Sequence, residues 1–230
     1  ADGTNNTGCF AIVPLDLIVL PSPEVPVTID DYVLCDDDND GVTQFDLTTK
    51  DAEATANVAG LTVTYYTTQA AADSGTGFIT NATSYNNTST PQTLWVRVQN
   101  SFGCYSTGSF NLIVNPLPVV NSNVAPYQLC DDGTGQATFI LSSRNNEVTN
   151  NTPGYTITYY GSQGAANDGL AGALPDNYYT AATTVYARVV NAATGCFTTT
   201  SVALQPLSSP TLSAVAPLEA CATDVSNTAV

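Results

Sequence analysis

The chain has 230 residues, of which 20 are acidic, 4 are basic and none is His, for a formal net charge of −16. Only 10% of residues are charged, where soluble domains carry about 25%, while 43% are hydrophobic. The charge excludes a surface for nucleic acid, the missing His removes the commonest general base and metal ligand, and the apolar content excludes wholesale disorder.

No apolar run approaches the ~20 residues of a membrane-spanning helix. With no Met, the chain is expected to be part of something longer. It begins with Gly8-Cys-Phe10, Leu15-Asp-Leu-Ile-Val19 and Pro21, followed by Pro23 and Pro26, a stiff proline-rich joint. Tyr32-Val-Leu-Cys35 reads as a short strand and runs into an acidic turn. Lys50 to Asn57 is a short helical stretch. Leu61, Val63 and Tyr65 alternate with Thr62, Thr64 and Tyr66, the period of two that marks a half-buried strand. Gln69 to Ala72 is a second helical hint. Leu94, Val96 and Val98 then alternate with Trp95, Arg97 and Gln99, and Gly103-Cys-Tyr105 precedes Phe110-Asn-Leu-Ile-Val114.

From there the chain repeats itself at a period of about 95 residues. Tyr127-Gln-Leu-Cys130-Asp-Asp answers Tyr32-Val-Leu-Cys35-Asp-Asp, and Tyr155-Thr-Ile-Thr-Tyr-Tyr160 answers Leu61 to Tyr66. Val185-Tyr-Ala-Arg-Val189 answers Leu94 to Val98, and Gly195-Cys-Phe197 answers Gly103 to Tyr105. The opening segment matches the end of a repeat, and Ala216-Pro-Leu218 with Cys221 matches a beginning. The expected organisation is thus a fragment over 1–22, whole repeats over 23–117 and 118–210, and a second fragment over 211–230. Short strands separated by Gly, Asn and Asp turns predict an all-β fold: tandem immunoglobulin-like β-sandwiches in an elongated array.

The six cysteines recur at one early and one late place per repeat, which points to an oxidising, extracellular setting. Two pairings compete. One joins early to late within a repeat, Cys35 to Cys104 and Cys130 to Cys196, on the expectation that first and last strands are neighbours; Cys9 and Cys221 then have partners outside the chain. The other staples the joints, as Cys9–Cys35, Cys104–Cys130 and Cys196–Cys221. The first is the preferred expectation, although connectivity is not fixed by sequence.

Asp36-x-Asp38-x-Asp40-Gly41 matches the opening of a calcium loop, in which alternate carboxylates converge on one hard cation. Leu47 stands where the twelfth, bidentate acid belongs, and Asp46 lies one residue early. A structural calcium on Asp36, Asp38, Asp40 and Asp46 therefore competes with a plain solvated turn. The second repeat keeps only Asp131 and Asp132.

Alternation turns Tyr66, Trp95 and Arg97 away from the core, and Tyr160, Tyr186 and Arg188 repeat the set. If exposed, they form a face for surface glycans or a protein partner; the plainer expectation is Arg stacked on a ring for sheet stability. No phosphate loop, nucleophile elbow or Cys–His pair occurs, so an enzyme is not expected.

The run Tyr32 to Leu47, then Leu61 to Tyr66, Val96-Arg-Val98, Gly103-Cys104 and Leu112-Ile-Val-Asn-Pro-Leu-Pro118, resembles repeats of very large surface proteins of Bacteroidota. These are exported by type IX secretion, and some relatives are gliding-motility adhesins. The resemblance implies a structural and adhesive segment of a long cell-surface protein or filament, with neighbouring repeats as its partners. A glycan-binding module and a filament subunit that donates the Leu15–Val19 strand to a neighbour are the alternatives.

Overall fold

A computed structural model describes residues 13–26, 28–208 and 210, which divide into one unit ending at Leu117 and a second beginning at Pro118. Cys9, Cys221 and the expected fragment over 211–230 lie outside the described residues. Residues 13–26 form no strand, and Leu15, Leu17, Ile18 and Val19 stand 77–90% exposed.

The first unit runs β1 (Tyr32–Cys35), β2 (Gln44–Phe45), a 3-10 turn (Leu47–Lys50) leading into α1 (Asp51–Ala54), β3 (Thr62–Tyr66) and α2 (Gln69–Ser74). It continues with β4 (Tyr85–Asn86), β5 (Gln92–Gln99) and β6 (Tyr105–Asn115). The second unit repeats the plan as β7 (Tyr127–Cys130), β8 (Ala137–Ile140), α3 (Asn145–Val148), β9 (Tyr155–Tyr160) and α4 (Gln163–Asp168). β10 (Asn177–Thr180), β11 (Thr183–Asn191) and β12 (Phe197–Leu207) complete it.

Each unit packs a four-stranded sheet against a two-stranded one. The orders β1-β6-β5-β3 with β2-β4, and β7-β12-β11-β9 with β8-β10, match strand for strand. Both units are all-β, immunoglobulin-like sandwiches in tandem. Leu94, Val96 and Val98 of β5 are fully buried, as are Phe45, Leu47 and Leu112 around them. Phe139, Ala187, Val189 and Leu204 occupy the same role in the second unit. β-branched and aromatic side chains on one face of each strand supply these cores.

The direction of the outer strand pair matters most. β1 lies beside β6, but parallel to it, with Tyr32 opposite Leu112 and Cys35 opposite Asn115. β7 and β12 are parallel in the same way, pairing Tyr127 with Leu204 and Cys130 with Leu207. Upstream of β1 the incoming chain follows the first half of β6: Ser106 Oγ donates to the Pro23 carbonyl and the Asn111 N–H to Asp31 Oδ1. Thr200 Oγ1 holds the Asn121 carbonyl likewise in the second unit. Chain entry therefore lies at the start of β6 or β12, and chain exit at its end.

Candidate functional site: the two ends of each unit

The cysteines mark these two ends. Cys35 closes β1 at the exit end, beside Asn115, while Cys104 precedes β6 at the entry end, where its Sγ meets the Leu20 carbonyl at 3.9 Å. Eleven residue steps of extended chain lead from Cys104 to Asn115, about 36 Å at ~3.3 Å per step. A disulfide needs Cα atoms about 4.4–6.8 Å apart. The same offset separates Leu207, opposite Cys130, from Cys196.

The expected Cys35–Cys104 and Cys130–Cys196 bridges are thus overturned. First and last strands are neighbours, but running parallel they put early and late cysteines at opposite ends. In agreement, Cys35 and Cys196 are each disulfide-bonded, whereas Cys104 and Cys130 are free thiols. The competing Cys104–Cys130 pairing fails with them; its other members, Cys9–Cys35 and Cys196–Cys221, each involve a residue outside the described ones.

The acidic loop occupies the exit end of the first unit. The Asp36 N–H donates to the Asn115 carbonyl (2.8 Å), and Asn39 Oδ1 accepts from the Leu117 N–H (2.7 Å). Asp36, Asp38 and Asp40 each offer a carboxylate oxygen, all within 4.8 Å of one another. Asp36 is buried at 4% exposure. It takes N–H groups of Asn39 at 3.0 Å and Gly41 at 2.7 Å. Burial works to raise its pKa, and the backbone donors of Gly41, Asp38, Asn39 and Asp37 outweigh that, holding it below the usual carboxylate range.

Asp46 is not part of this cluster. Its Oδ1 caps the 3-10 turn, accepting from Thr48 N (3.1 Å) and Thr48 Oγ1 (2.6 Å). A turn-capping acid one residue before a buried Leu47 satisfies local backbone instead of closing a cation site. In the second unit Asp132 accepts from Thr134 Oγ1 (2.5 Å) and Tyr179 Oη (2.8 Å), so hydroxyls take over the loop.

The proposed aromatic face is also corrected. β3 and β5 do lie side by side, with Tyr66 opposite Trp95 and Thr64 opposite Arg97. Yet Tyr66 is 2% and Arg97 9% exposed, while Trp95 is half-buried. The cause is α2, which begins at Thr68, whose side chain caps Ala71 N, and stops at the left-handed Gly75. It lies over the outer face, and Arg97 Nη1 donates to the Ala72 (2.9 Å) and Asp73 (3.0 Å) carbonyls at its C-terminus.

In the second unit Arg188 Nη1 holds Ala166 and Asn167 of α4 (2.8 and 2.6 Å), Tyr160 is buried at 4% exposure, and Tyr186 is half-buried. The ring beneath each arginine comes from the last strand: Arg97 lies 3.3 Å from the Tyr105 centroid and Arg188 3.3 Å from that of Phe197. Tyr105 and Phe197 were missed, although each follows its repeat's late cysteine. Of the two helices only the stretch Gln69 to Ala72 was read from the sequence; the caps Thr68 and Ser162 and the stops Gly75 and Gly169, with six residues between each cap and stop, are the signal that could have found both.

A cleft of about 230 Å³ in the second unit, lined by Ile157, Tyr159, Leu174 and Asp176 among others, is smaller than the ~300–1,000 Å³ of typical small-molecule sites. Among the described residues no helix is long and apolar enough to cross a membrane.

Two sandwiches of one topology, each carrying one cysteine at its entry and one at its exit, define a tandem immunoglobulin-like repeat. The chain belongs to the family described as the Flavobacterium inter-domain disulphide bond domain, which it matches twice, over residues 31–118 and 126–210. No curated protein matches the sequence. Among solved structures, the chain is similar to a three-immunoglobulin-domain segment of titin, at 9% identity and a TM-score of 0.32, covering 83% of this chain and 67% of that one. It is also similar to the SGBP-B protein of the Bacteroides ovatus mixed-linkage glucan utilization locus, solved with a heptasaccharide. That match has 14% identity and a TM-score of 0.22, covering 80% of this chain and 46% of the other.

Proposed function

We propose that this chain is a load-bearing spacer segment of a long extracellular surface protein, in which Cys35 of one repeat is bonded to Cys196 of the next. The observation that carries it is the placement of the two bonded cysteines. Cys35 sits where the chain leaves the first unit, and Cys196 sits where the chain enters the second. Only Pro116 and Leu117 separate the end of β6 from the second unit. The family's description names an inter-domain disulphide, which is the same kind of bond.

Forming it takes two electrons and two protons from the paired thiols, accepted by an extracytoplasmic thiol–disulfide oxidant. Closing a loop of about 160 residues adds about 5 kcal/mol by the chain-entropy estimate. The same rule assigns Cys104 to the early cysteine of a preceding repeat and Cys130 to the late cysteine of a following one. The test is proteolysis of the non-reduced chain followed by mass spectrometry. A peptide pair containing Cys35 and Cys196 is expected. Cys35 linked to Cys9 instead, with Cys196 linked to Cys221, overturns the assignment.

The acidic loop adds to this reading as a calcium clamp on Asp36, Asp38 and Asp40 at the exit end. Oxygen ligands and a glycine turn suit that ion, and Asn39 ties the loop to Leu117. Calcium is expected to raise the melting temperature of the chain above its value in chelator. Equal melting temperatures remove the ion.

A further inference from the structure

We infer that the proposed Cys35–Cys196 bond takes most of both folded cores out of the line of force, so that residues 36–195 cannot be drawn out by pulling on the chain. The inference rests on the pairing proposed above and adds a mechanical consequence of the strand topology.

Tension entering the first unit follows residues 21–35, which lie along β6 and end at Cys35. A bond from Cys35 to Cys196 passes it directly to β12, and β12 carries it to Leu207 at the exit of the second unit. Residues 36–195 then hang from this line as a closed loop. That loop contains Phe45, Leu94, Val96 and Val98 of one core and Phe139, Val185, Ala187 and Val189 of the other. Of the segments under load, β1 and β12 already run extended, so they have little length to yield. Without the bond, tension passes in series through both units, each held against it by a parallel pair, β1 with β6 and β7 with β12.

The bond rule also predicts a second line in a longer array. Cys104, β6, the joint, β7 and Cys130 form a continuous run whose two terminal thiols are both free. Bonded to flanking repeats, this run lies beside the first in every sandwich. Two covalent lines then share the load, as the parallel edge strand and its inner neighbour in each domain.

The test is single-molecule force extension of the full 230-residue chain, held at both ends. Unfolding one unit in series releases ~95 residues at ~3.5 Å each, less the ~35 Å already spanned, or about 300 Å. The oxidised chain is expected to show no step of that size. The reduced chain and the Cys35→Ser chain are expected to show two. Cys104→Ser, which leaves the bond in place, is expected to behave as the oxidised chain.

If Cys35→Ser does not fold, reduction of the wild-type chain supplies the comparison without substitution. Steps near 300 Å in oxidised molecules whose peptide map contains the Cys35–Cys196 link overturn the force-line inference and leave the pairing intact. The same steps with no such link overturn the pairing itself.

Discussion

The guanidinium carbon of Arg97 lies 3.3 Å from the centroid of the Tyr105 ring. The side chain is thereby sandwiched between the last strand of the sheet and the C-terminus of α2, whose carbonyls it also binds. Arg188 over Phe197 repeats the arrangement. A planar cation satisfies two carbonyls and an aromatic face at once, and no other side chain offers that combination.

Arg97→Ala is therefore expected to destabilise the first unit by roughly 2–4 kcal/mol, from lost charged hydrogen bonds and a lost ring contact. Arg97→Lys recovers little, because a point charge cannot stack as the fork does. Urea unfolding measures both. A change below about 0.5 kcal/mol, ordinary for surface positions, removes the arginine as a clamp.

Gly75 and Gly169 end the two outer helices at φ 70° and 66°. A Cβ at Gly75 meets Arg97 at 3.5 Å, an ordinary contact, whereas one at Gly169 meets Arg188 Nε at 2.8 Å. Alanine at either position costs roughly 1–2 kcal/mol for the left-handed backbone, and Gly169→Ala must also displace the half-buried Arg188. Denaturation midpoints should rank Gly169→Ala below Gly75→Ala. Equal losses contradict the clash.

Gly108 lies on β6 under the incoming chain, and a Cβ there meets Val25 at 2.8 Å and Ile29 at 3.3 Å. Gly108→Ala is expected to cost about 1–3 kcal/mol by overpacking. It should also speed hydrogen exchange near residues 23–31, since the entry segment must lift. Unchanged exchange there places the strain elsewhere.

Asp36 gives the pH dependence. Its carboxyl is held below the ordinary value by backbone donors against the opposing effect of burial, so the folded state binds its proton less readily than the unfolded state. The contribution is fully present above the unfolded pKa of about 3.9 and is lost as the pH falls through the lower folded value. Asp36→Asn should flatten stability against pH below about pH 4. An unchanged acid limb shows that other groups govern it.

Much of the fold was legible in local pattern. Alternation in Leu94 to Val98 and Leu61 to Tyr66 marked two strands, and the expected immunoglobulin-like sandwich sets such strands side by side, as the Tyr66–Trp95 register bears out. A face, though, is only a direction. Tyr66 and Arg97 point away from the core as counted and are buried nonetheless, because α2, six residues long, folds back over them. The stretch Gln69 to Ala72 hinted at that helix without saying which surface it would cover.

The sequence by itself determined what recurs: two like units, their strands, their polar turns and one cysteine near each end of the repeat. These follow from side-chain type and spacing, which act over a few residues. Only the tertiary structure decided which cysteines can meet. That depends on β1 running parallel to β6, which puts Cys35 opposite Asn115 and about 36 Å from Cys104. Strand direction is set by how the chain crosses between sheets, a long-range matter on which the residues flanking a cysteine are silent.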